Sequence, residues 1–171
     1  EIFTAAQIAH TPMDMVYLLD GTDVEELLKY PVLFYSHPLI LTEKRTELLK
    51  LYVEAGGCLI LGCRTGQKDE TGQCVMTPMP GLLAPLTQTD VKEFTFIGPA
   101  DDAVSMNWDG CEVETGLFND ILTPTGVDAK VLAKYSSNYY EGRPALIETK
   151  AGKGRVIHFG GTFTRENVKA F

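Results

Sequence analysis

Two short apolar runs on either side of an amphipathic stretch, between Tyr30 and Glu70, constrain the fold more than any other feature of the chain. Val32–Tyr35 and Cys58–Leu61 have the length and composition of buried strands. Between them, apolar residues from Leu41 to Val53 recur at helical spacing. A helix that joins two buried strands is typical of a βαβ unit, in which the strands are parallel and the faces of the sheet are covered.

The rest of the chain predicts elements on both sides of this unit. Helices are predicted over residues 2–9 and 23–29, the second beginning at Gly21 or Thr22, and a strand over residues 13–19. Gly56-Gly57 is expected to end the long helix. The second half alternates polar and apolar residues, which predicts strands over 91–97, 103–108, 111–115, 131–136, 144–149 and 155–159. We therefore expect an α/β domain with a mostly parallel central sheet and a β-rich insertion in its second half.

Length and charge limit the possible functions. The chain of 171 residues is expected to form one domain over residues 1–171. A net charge of -8 argues against a nucleic-acid partner, because no basic stripe is present to neutralise phosphates. No apolar run approaches the roughly 18 residues that a membrane span needs. The sequence opens without an initiator methionine or a signal peptide, which predicts that it was cut from a longer polypeptide.

The four cysteines, Cys58, Cys63, Cys74 and Cys111, match no zinc-binding spacing. Cys58 lies within a predicted core strand and is expected to be a small buried hydrophobe. Free thiols in a reducing compartment are favoured, which predicts a cytoplasmic protein. Export remains an alternative, and in that case Cys63 and Cys74 would be able to pair. No motif predicts a metal site or a cofactor.

Cys63 follows the second strand of the βαβ unit, at the edge where ligands of parallel sheets usually lie. His158, near the end of the last predicted strand, would serve as its base. A nucleophile elbow requires small residues two positions before and after the nucleophile. In this chain those positions hold Leu61 and Thr65 instead. Gly160 offers no carboxylate to orient the imidazole. The pattern favours a site without a working nucleophile and leaves a Cys63–His158 hydrolase as the alternative.

Asp69, Glu70 and Trp108 are weaker candidates for a carbohydrate site. Paired glycosidase carboxylates need a rigid separation of about 5 to 9.5 Å. Asp69 and Glu70 are neighbours in a loop rich in glycine and proline, so solvated surface charge is favoured. Trp108, the single tryptophan, is expected to pack in the domain rather than to stack on a sugar, although aromatic side chains do form carbohydrate platforms.

Short motifs follow one another along nearly the whole chain: Tyr30–Phe34 with Pro38-Leu39, Leu51–Gly57, Arg64–Glu70, Pro80–Leu83, Tyr139–Ala145, and Gly152–Val156 followed by Gly160–Thr162. Their order and spacing resemble the middle domain of glycoside hydrolase family 42 β-galactosidases, which is the trimerisation domain. Arg64–Glu70 is similar to the R-[ST]-G-x-x-D-E segment of that family.

This resemblance implies a flavodoxin-like, class I glutamine amidotransferase-like three-layer sandwich that has kept the fold and lost the chemistry. It implies a non-catalytic scaffold in an enzyme that hydrolyses terminal β-D-galactosides, with the catalytic glutamates in an N-terminal barrel of the same chain. The expected partners are that barrel and two further subunits of a homotrimer. The resemblance also implies that this domain helps to wall the active site of a neighbouring barrel. Candidates for this wall and for the subunit interface are the loop from Arg64 to Pro85, with Arg64, Asp69 and Glu70, and also Trp108. A stand-alone amidotransferase-like hydrolase that uses Cys63 and His158 is the alternative.

Overall fold

The computed structural model describes residues 1–98 and 100–171, which form four α-helices, two 3₁₀ turns and nine strands. The helices are α1 (Ile2–Ile8), α2 (Val24–Leu27), α3 (Glu43–Ala55) and α4 (Ala84–Thr87), and the 3₁₀ turns are Gly81–Leu83 and Asn167–Ala170. The strands are β1 (Val32–Tyr35), β2 (Cys58–Leu61), β3 (Thr89–Phe96), β4 (Ser105–Trp108), β5 (Cys111–Glu114), β6 (Phe118–Pro124), β7 (Ala129–Tyr135), β8 (Pro144–Ala151) and β9 (Gly154–Phe159).

The βαβ unit forms as its sequence predicts, with β1 and β2 parallel and α3 between them. The hydroxyl of Thr42 caps α3 by accepting the N–H of Arg45 at 3.1 Å. The helix ends at Gly56, whose φ of 128° favours glycine, and a Cβ on Gly57 would lie 2.2 Å from the Tyr52 ring. The paired glycines therefore end the helix and let its last turn approach β2.

The prediction of a mostly parallel sheet is wrong. The main sheet has seven strands in the order β1-β2-β9-β8-β7-β4-β5. Only β1, β2 and β9 are parallel neighbours, whereas the four remaining pairings are antiparallel. The tight turns from β4 to β5 and from β8 to β9 force antiparallel pairing, because a parallel connection needs a crossover of about a dozen residues or more. The coarser α/β description holds, with a curled mixed sheet.

The strand predicted over residues 13–19 is absent, and that segment has no regular secondary structure and is largely exposed. Side-chain hydrogen bonds hold its two ends, one to Tyr30 before β1 and one to the cap of α3. The Tyr30 hydroxyl donates to the Asp14 carboxylate at 3.2 Å, and the Thr42 hydroxyl donates to Asp20 at 2.8 Å. The apolar run therefore pairs with no strand among the described residues. The helix predicted over 23–29 is shorter, and Asp23 caps it through the N–H of Glu25.

β6 is a strand that the sequence did not predict. It pairs with β3 in a separate two-stranded antiparallel sheet, which we call the ribbon. Asn119 and Asp120 interrupt its apolar run, and both residue types are depleted in strands. Tertiary contacts override that propensity here, since both side chains are fully buried.

Apolar clusters cover both faces of the main sheet. Ile60, Tyr135 and Phe159 belong to one cluster, whereas Leu59 and Leu61 belong to a second cluster with the buried side of α3. Successive strand residues point to opposite faces, so Leu59 and Ile60 place these clusters on opposite sides of the sheet. Within the described residues, no helix has the length and apolar character needed to cross a membrane.

Candidate functional site

Cys63 and His37 meet at the carboxyl edge of the parallel strands, directly after β2 and β1. The Cys63 Sγ lies 3.4 Å from His37 Nδ1 and 3.5 Å from Thr162 Oγ1. His37 Nδ1 is also 3.1 Å from the Cys63 carbonyl oxygen, and its Nε2 accepts the N–H of Phe163 at 3.4 Å. Because a carbonyl only accepts, this network assigns the proton of a neutral imidazole to Nδ1. Burial lowers the pKa of His37, which also favours the neutral ring.

The Cys63 thiol is closed off from solvent. Only 2% of the residue is exposed, and burial raises the pKa of the thiol to about 12. The thiolate is the nucleophilic form of cysteine, so a thiol with this pKa is almost wholly protonated near neutral pH. The position where an amidotransferase-like nucleophile would act is therefore part of the core.

His158 occupies a different buried environment from Cys63. Its Nδ1 is 2.8 Å from the hydroxyl of Thr89, and burial lowers the pKa of the imidazole to about 4. Its Nε2 has no hydrogen-bond partner among the residues that the structure describes. The structure brings His37, and not His158, into contact with Cys63. The position of His37 directly after β1 was the sequence signal for this contact.

Arg64 takes the left-handed conformation in the turn after β2, with a φ of 63°. Its N–H donates to Asp120 Oδ2 at 2.6 Å. Its guanidinium carbon lies 3.7 Å from the centroid of the Phe94 ring and 5.5 Å from that of Phe118. The residue with the strained backbone in this turn is thus an arginine that packs on aromatic rings and not a nucleophile.

Asp120 is a central residue of this site that sequence reasoning missed. It is fully buried, and burial raises the pKa of its carboxyl to about 6 despite the opposing hydrogen bond from the Arg64 amide. The hydroxyl of Tyr135 donates to the Asp120 carbonyl oxygen at 2.8 Å. The only signal for it was the interruption of the apolar run of β6 by two polar residues. Asp120 connects the ribbon to the turn after β2.

The loop that begins at Arg64 is ordered by Asp69. Its Oδ1 accepts the N–H of Thr71 at 2.9 Å, the hydroxyl of Thr71 at 2.7 Å and the N–H of Gln73 at 3.0 Å. These bonds, led by that of the Thr71 hydroxyl, lower the pKa of Asp69. Glu70 is exposed beside it. Asp69 therefore shapes the loop, whereas Glu70 projects from it.

Trp108 lies at the end of β4 and is half-buried, with its ring centroid 5.2 Å from that of Phe171. It packs against the last residue of the chain, as the sequence favoured, and the aromatic contact is not with the loop that begins at Arg64. In the described part of the chain, no cluster of three or more His, Cys, Asp or Glu residues is arranged to hold a metal ion.

A family model described as the β-galactosidase trimerisation domain matches residues 15–171. The chain belongs to this family. The resemblance found in the short motifs is thus confirmed, and the match covers the βαβ unit, the loop from Arg64 and the ribbon. The buried Cys63 thiol and the absence of a nucleophile from the turn after β2 agree with a family that is described as a trimerisation domain.

Similar proteins are β-galactosidases several times longer than this trimerisation domain. β-Galactosidase BgaA of Clostridium cellulovorans is 34% identical over 150 residues, which cover 85% of this chain and 22% of that protein. LacA of Lactobacillus acidophilus is 29% identical over 150 residues, covering 87% and 21%. The structure of the Bacillus circulans sp. alkalophilus β-galactosidase superposes with a TM-score of 0.86 at 21% identity, over 98% of this chain and 25% of that one. The chain thus spans about a fifth to a quarter of these proteins.

Proposed function

We propose that this chain is the non-catalytic scaffold of a longer β-galactosidase, in which it joins the subunits of a homotrimer. The observation that carries the proposal is the match to the trimerisation family over residues 15–171. The buried, protonated Cys63 thiol supports a scaffold over the alternative hydrolase. The parent enzyme would hydrolyse terminal β-D-galactosides by retaining chemistry, on a catalytic barrel that precedes this domain in the same chain. BgaA and LacA, both much longer β-galactosidases, support this assignment.

We further propose that the fold is a divergent form of the flavodoxin-like, class I glutamine amidotransferase-like sandwich. Three parallel strands, the crossover helix α3 and a cysteine at their carboxyl edge support this relationship. The antiparallel part from β4 to β8 would then be an elaboration of that core. A cytoplasmic location is also proposed, because all four cysteines are free.

The loop from Arg64 to Pro85 is our candidate for the contact with a neighbouring subunit and the wall of its active site. The loop ends are fixed, since the N–H of Gly66 donates to the Pro38 carbonyl at 2.8 Å and Pro80 is buried. Between them the chain projects, and Met76 is 99% exposed. A projecting loop of this length with internal hydrogen bonds is typical of functional surface loops.

The test of the scaffold proposal uses the full-length protein. We expect a trimeric mass by analytical ultracentrifugation and hydrolysis of a chromogenic β-galactoside. Cys63→Ala should leave kcat within about twofold of the wild-type value, because the thiol is buried away from any substrate. A monomeric wild-type protein would contradict the trimer, and loss of kcat in a folded Cys63→Ala enzyme would revive the hydrolase alternative.

The loop is tested by substituting Asp69 and Glu70 one at a time in the same full-length protein. Glu70→Lys reverses an exposed charge, Asp69→Asn weakens the internal hydrogen bonds, and Glu54→Lys makes the same charge reversal on the exposed side of α3 as a control. We expect Glu70→Lys to weaken the trimer or to raise KM, and Glu54→Lys to change neither. If Glu70→Lys leaves both the mass and KM unchanged, Glu70 makes no such contact.

A further inference from the structure

Three tyrosines at and after the end of β7 direct their hydroxyl groups at the ribbon, and we call them the tyrosine row: Tyr135, Tyr139 and Tyr140. The Tyr135 hydroxyl donates to the Asp120 carbonyl oxygen of β6 at 2.8 Å. The Tyr140 hydroxyl lies 2.9 Å from the hydroxyl of Thr95 in β3. The Tyr139 hydroxyl donates to the Glu93 carboxylate, also in β3, at 2.6 Å. The row therefore binds both strands of the ribbon.

The row is continuous from the core to the surface. Tyr135 and Tyr140 are buried, whereas Tyr139 is 69% exposed. The Tyr140 ring centroid lies 4.8 Å from that of Tyr135 and 4.9 Å from that of Tyr139, and both pairs are edge to face. This arrangement is favourable for aromatic rings beyond the area that they bury. Each ring therefore helps to orient the next one, and the hydroxyl groups are held in position for the ribbon.

A bulge in β3 turns the side chains that the row binds toward it. The register of β3 against β6 shifts between Val91 and Glu93. Beyond the bulge, Glu93 lies opposite Ile121, which belongs to the same core cluster as Tyr140. Side chains alternate along a strand, so Thr95 shares that face with Glu93. A shift of one residue exchanges the two faces of a strand, so the bulge is what aims this pair at the tyrosines.

The two strands of the ribbon are anchored to the rest of the domain in different ways. The N–H of Asp120 in β6 donates to the Gly160 carbonyl oxygen at 2.7 Å, so backbone bonds hold this strand. In β3, residues 93–96 are exposed or half-buried. In the described part of the chain, the hydrogen bonds that residues 93–96 make outside the ribbon are those to Tyr139 and Tyr140. A two-stranded sheet is marginally stable by itself, so this half of β3 depends on its side-chain contacts.

We propose that the tyrosine row is a clamp that holds the outer half of β3, residues 93–96, against the body of the domain. The inference assigns a role to the motif from Tyr139 to Ala145 and is independent of the proposed trimerisation. Tyr140 is the stronger contact with β3, because its hydroxyl group is on a buried residue. Water competes for the bond between Tyr139 and Glu93, since both residues are exposed.

The experiment measures amide hydrogen exchange in the full-length protein and in three Tyr→Phe variants, each of which removes one hydroxyl and keeps the ring. Tyr140→Phe and Tyr139→Phe alter the clamp. Tyr17→Phe is the control, because Tyr17 is 88% exposed and its hydroxyl makes no hydrogen bond to the described residues. We expect Tyr140→Phe to speed exchange in residues 93–96 about three- to tenfold. Tyr139→Phe should speed it less than about threefold, and Tyr17→Phe should leave it unchanged.

Thr95→Val tests the same bond from the ribbon side and serves if Tyr140→Phe does not fold. It should speed exchange as Tyr140→Phe does, and the double variant should be no faster than either single variant, because neither partner is then left unpaired. Unchanged exchange in residues 93–96 of the folded single variants overturns the clamp. Additive effects in the double variant, or faster exchange spread equally over β8 and β9, overturn it as well.

Discussion

Two neighbouring regions, the carboxyl edge of the parallel strands and the ribbon that Arg64 contacts beside it, differ in burial. Cys63 and Asp120 are buried, the half-buried His37 lies against the Cys63 thiol, and Asp120 accepts the Arg64 amide. Around Phe94 and Phe96, apolar rings are exposed on a fixed backbone. The region where α/β folds place chemistry is closed, whereas the adjoining region is exposed. This difference agrees with the non-catalytic role that we propose for the domain.

Thiol reactivity tests the closed region, and we expect the largest effect here. In the folded chain, exposed Cys74 and Cys111 should react with iodoacetamide, whereas buried Cys58 and Cys63 should not. A thiol with a pKa of about 12 has about a thousandfold less thiolate near neutral pH than a cysteine with the ordinary value of 9.0, before its burial slows access further. Mass spectrometry of the modified peptides measures this. Rapid labelling of Cys63 without unfolding would show that the region is open.

A matched pair of phenylalanines sharpens the comparison. Phe163 packs against His37 and Phe159 and is 5% exposed, whereas Phe96 is 56% exposed. We expect Phe163→Ala to lower the free energy of unfolding by about 3–5 kcal/mol. Phe96→Ala should lower it by less than about 1 kcal/mol, measured in urea at concentrations where the chain is monomeric. Equal losses in the two variants would mean that Phe96 contributes to the core as Phe163 does.

Asp120 makes the free energy of unfolding depend on pH. Its folded pKa of about 6 lies above the ordinary value of 3.8, so the folded chain binds this proton more tightly than the unfolded chain does. The contribution of Asp120 to stability is therefore largest below pH 3.8 and decreases as pH rises to about 6, by at most about 3 kcal/mol. Asp120→Asn should remove this dependence. The measurement is urea unfolding of both proteins at pH 4 to 7, and parallel pH profiles would contradict the assignment.

The smallest effect is expected in the loop on the open side. Asp69→Ala removes the acceptor of the Thr71 and Gln73 amides, which should then exchange their hydrogens faster. The melting temperature should remain that of the wild-type chain, because among the described residues the hydrogen bonds of Asp69 stay within its own loop. Nuclear magnetic resonance exchange rates at these two amides measure the effect. A lower melting temperature would instead connect the loop to the core.

Local sequence predicted the elements whose burial pattern is complete within one segment. Helix α3, its glycine end and the strands β1 and β2 follow from periodicity and from the conformational freedom of glycine. The short motifs correctly indicated the family. Strand β6 was missed because Asn119 and Asp120 look like loop residues, and their burial depends on contacts with residues distant in sequence, such as Arg64 and Gly160.

The sequence by itself determined that a βαβ unit forms, that Cys63 follows its second strand and that the pattern around Cys63 is not that of a nucleophile elbow. The tertiary structure decided the direction of the remaining strands, the choice of His37 over His158 beside Cys63, and the pairing of the Arg64 amide with Asp120. The reason is physical. Periodicity and turn chemistry act between near neighbours, whereas burial and the pKa shifts it causes depend on which distant segments close over a side chain.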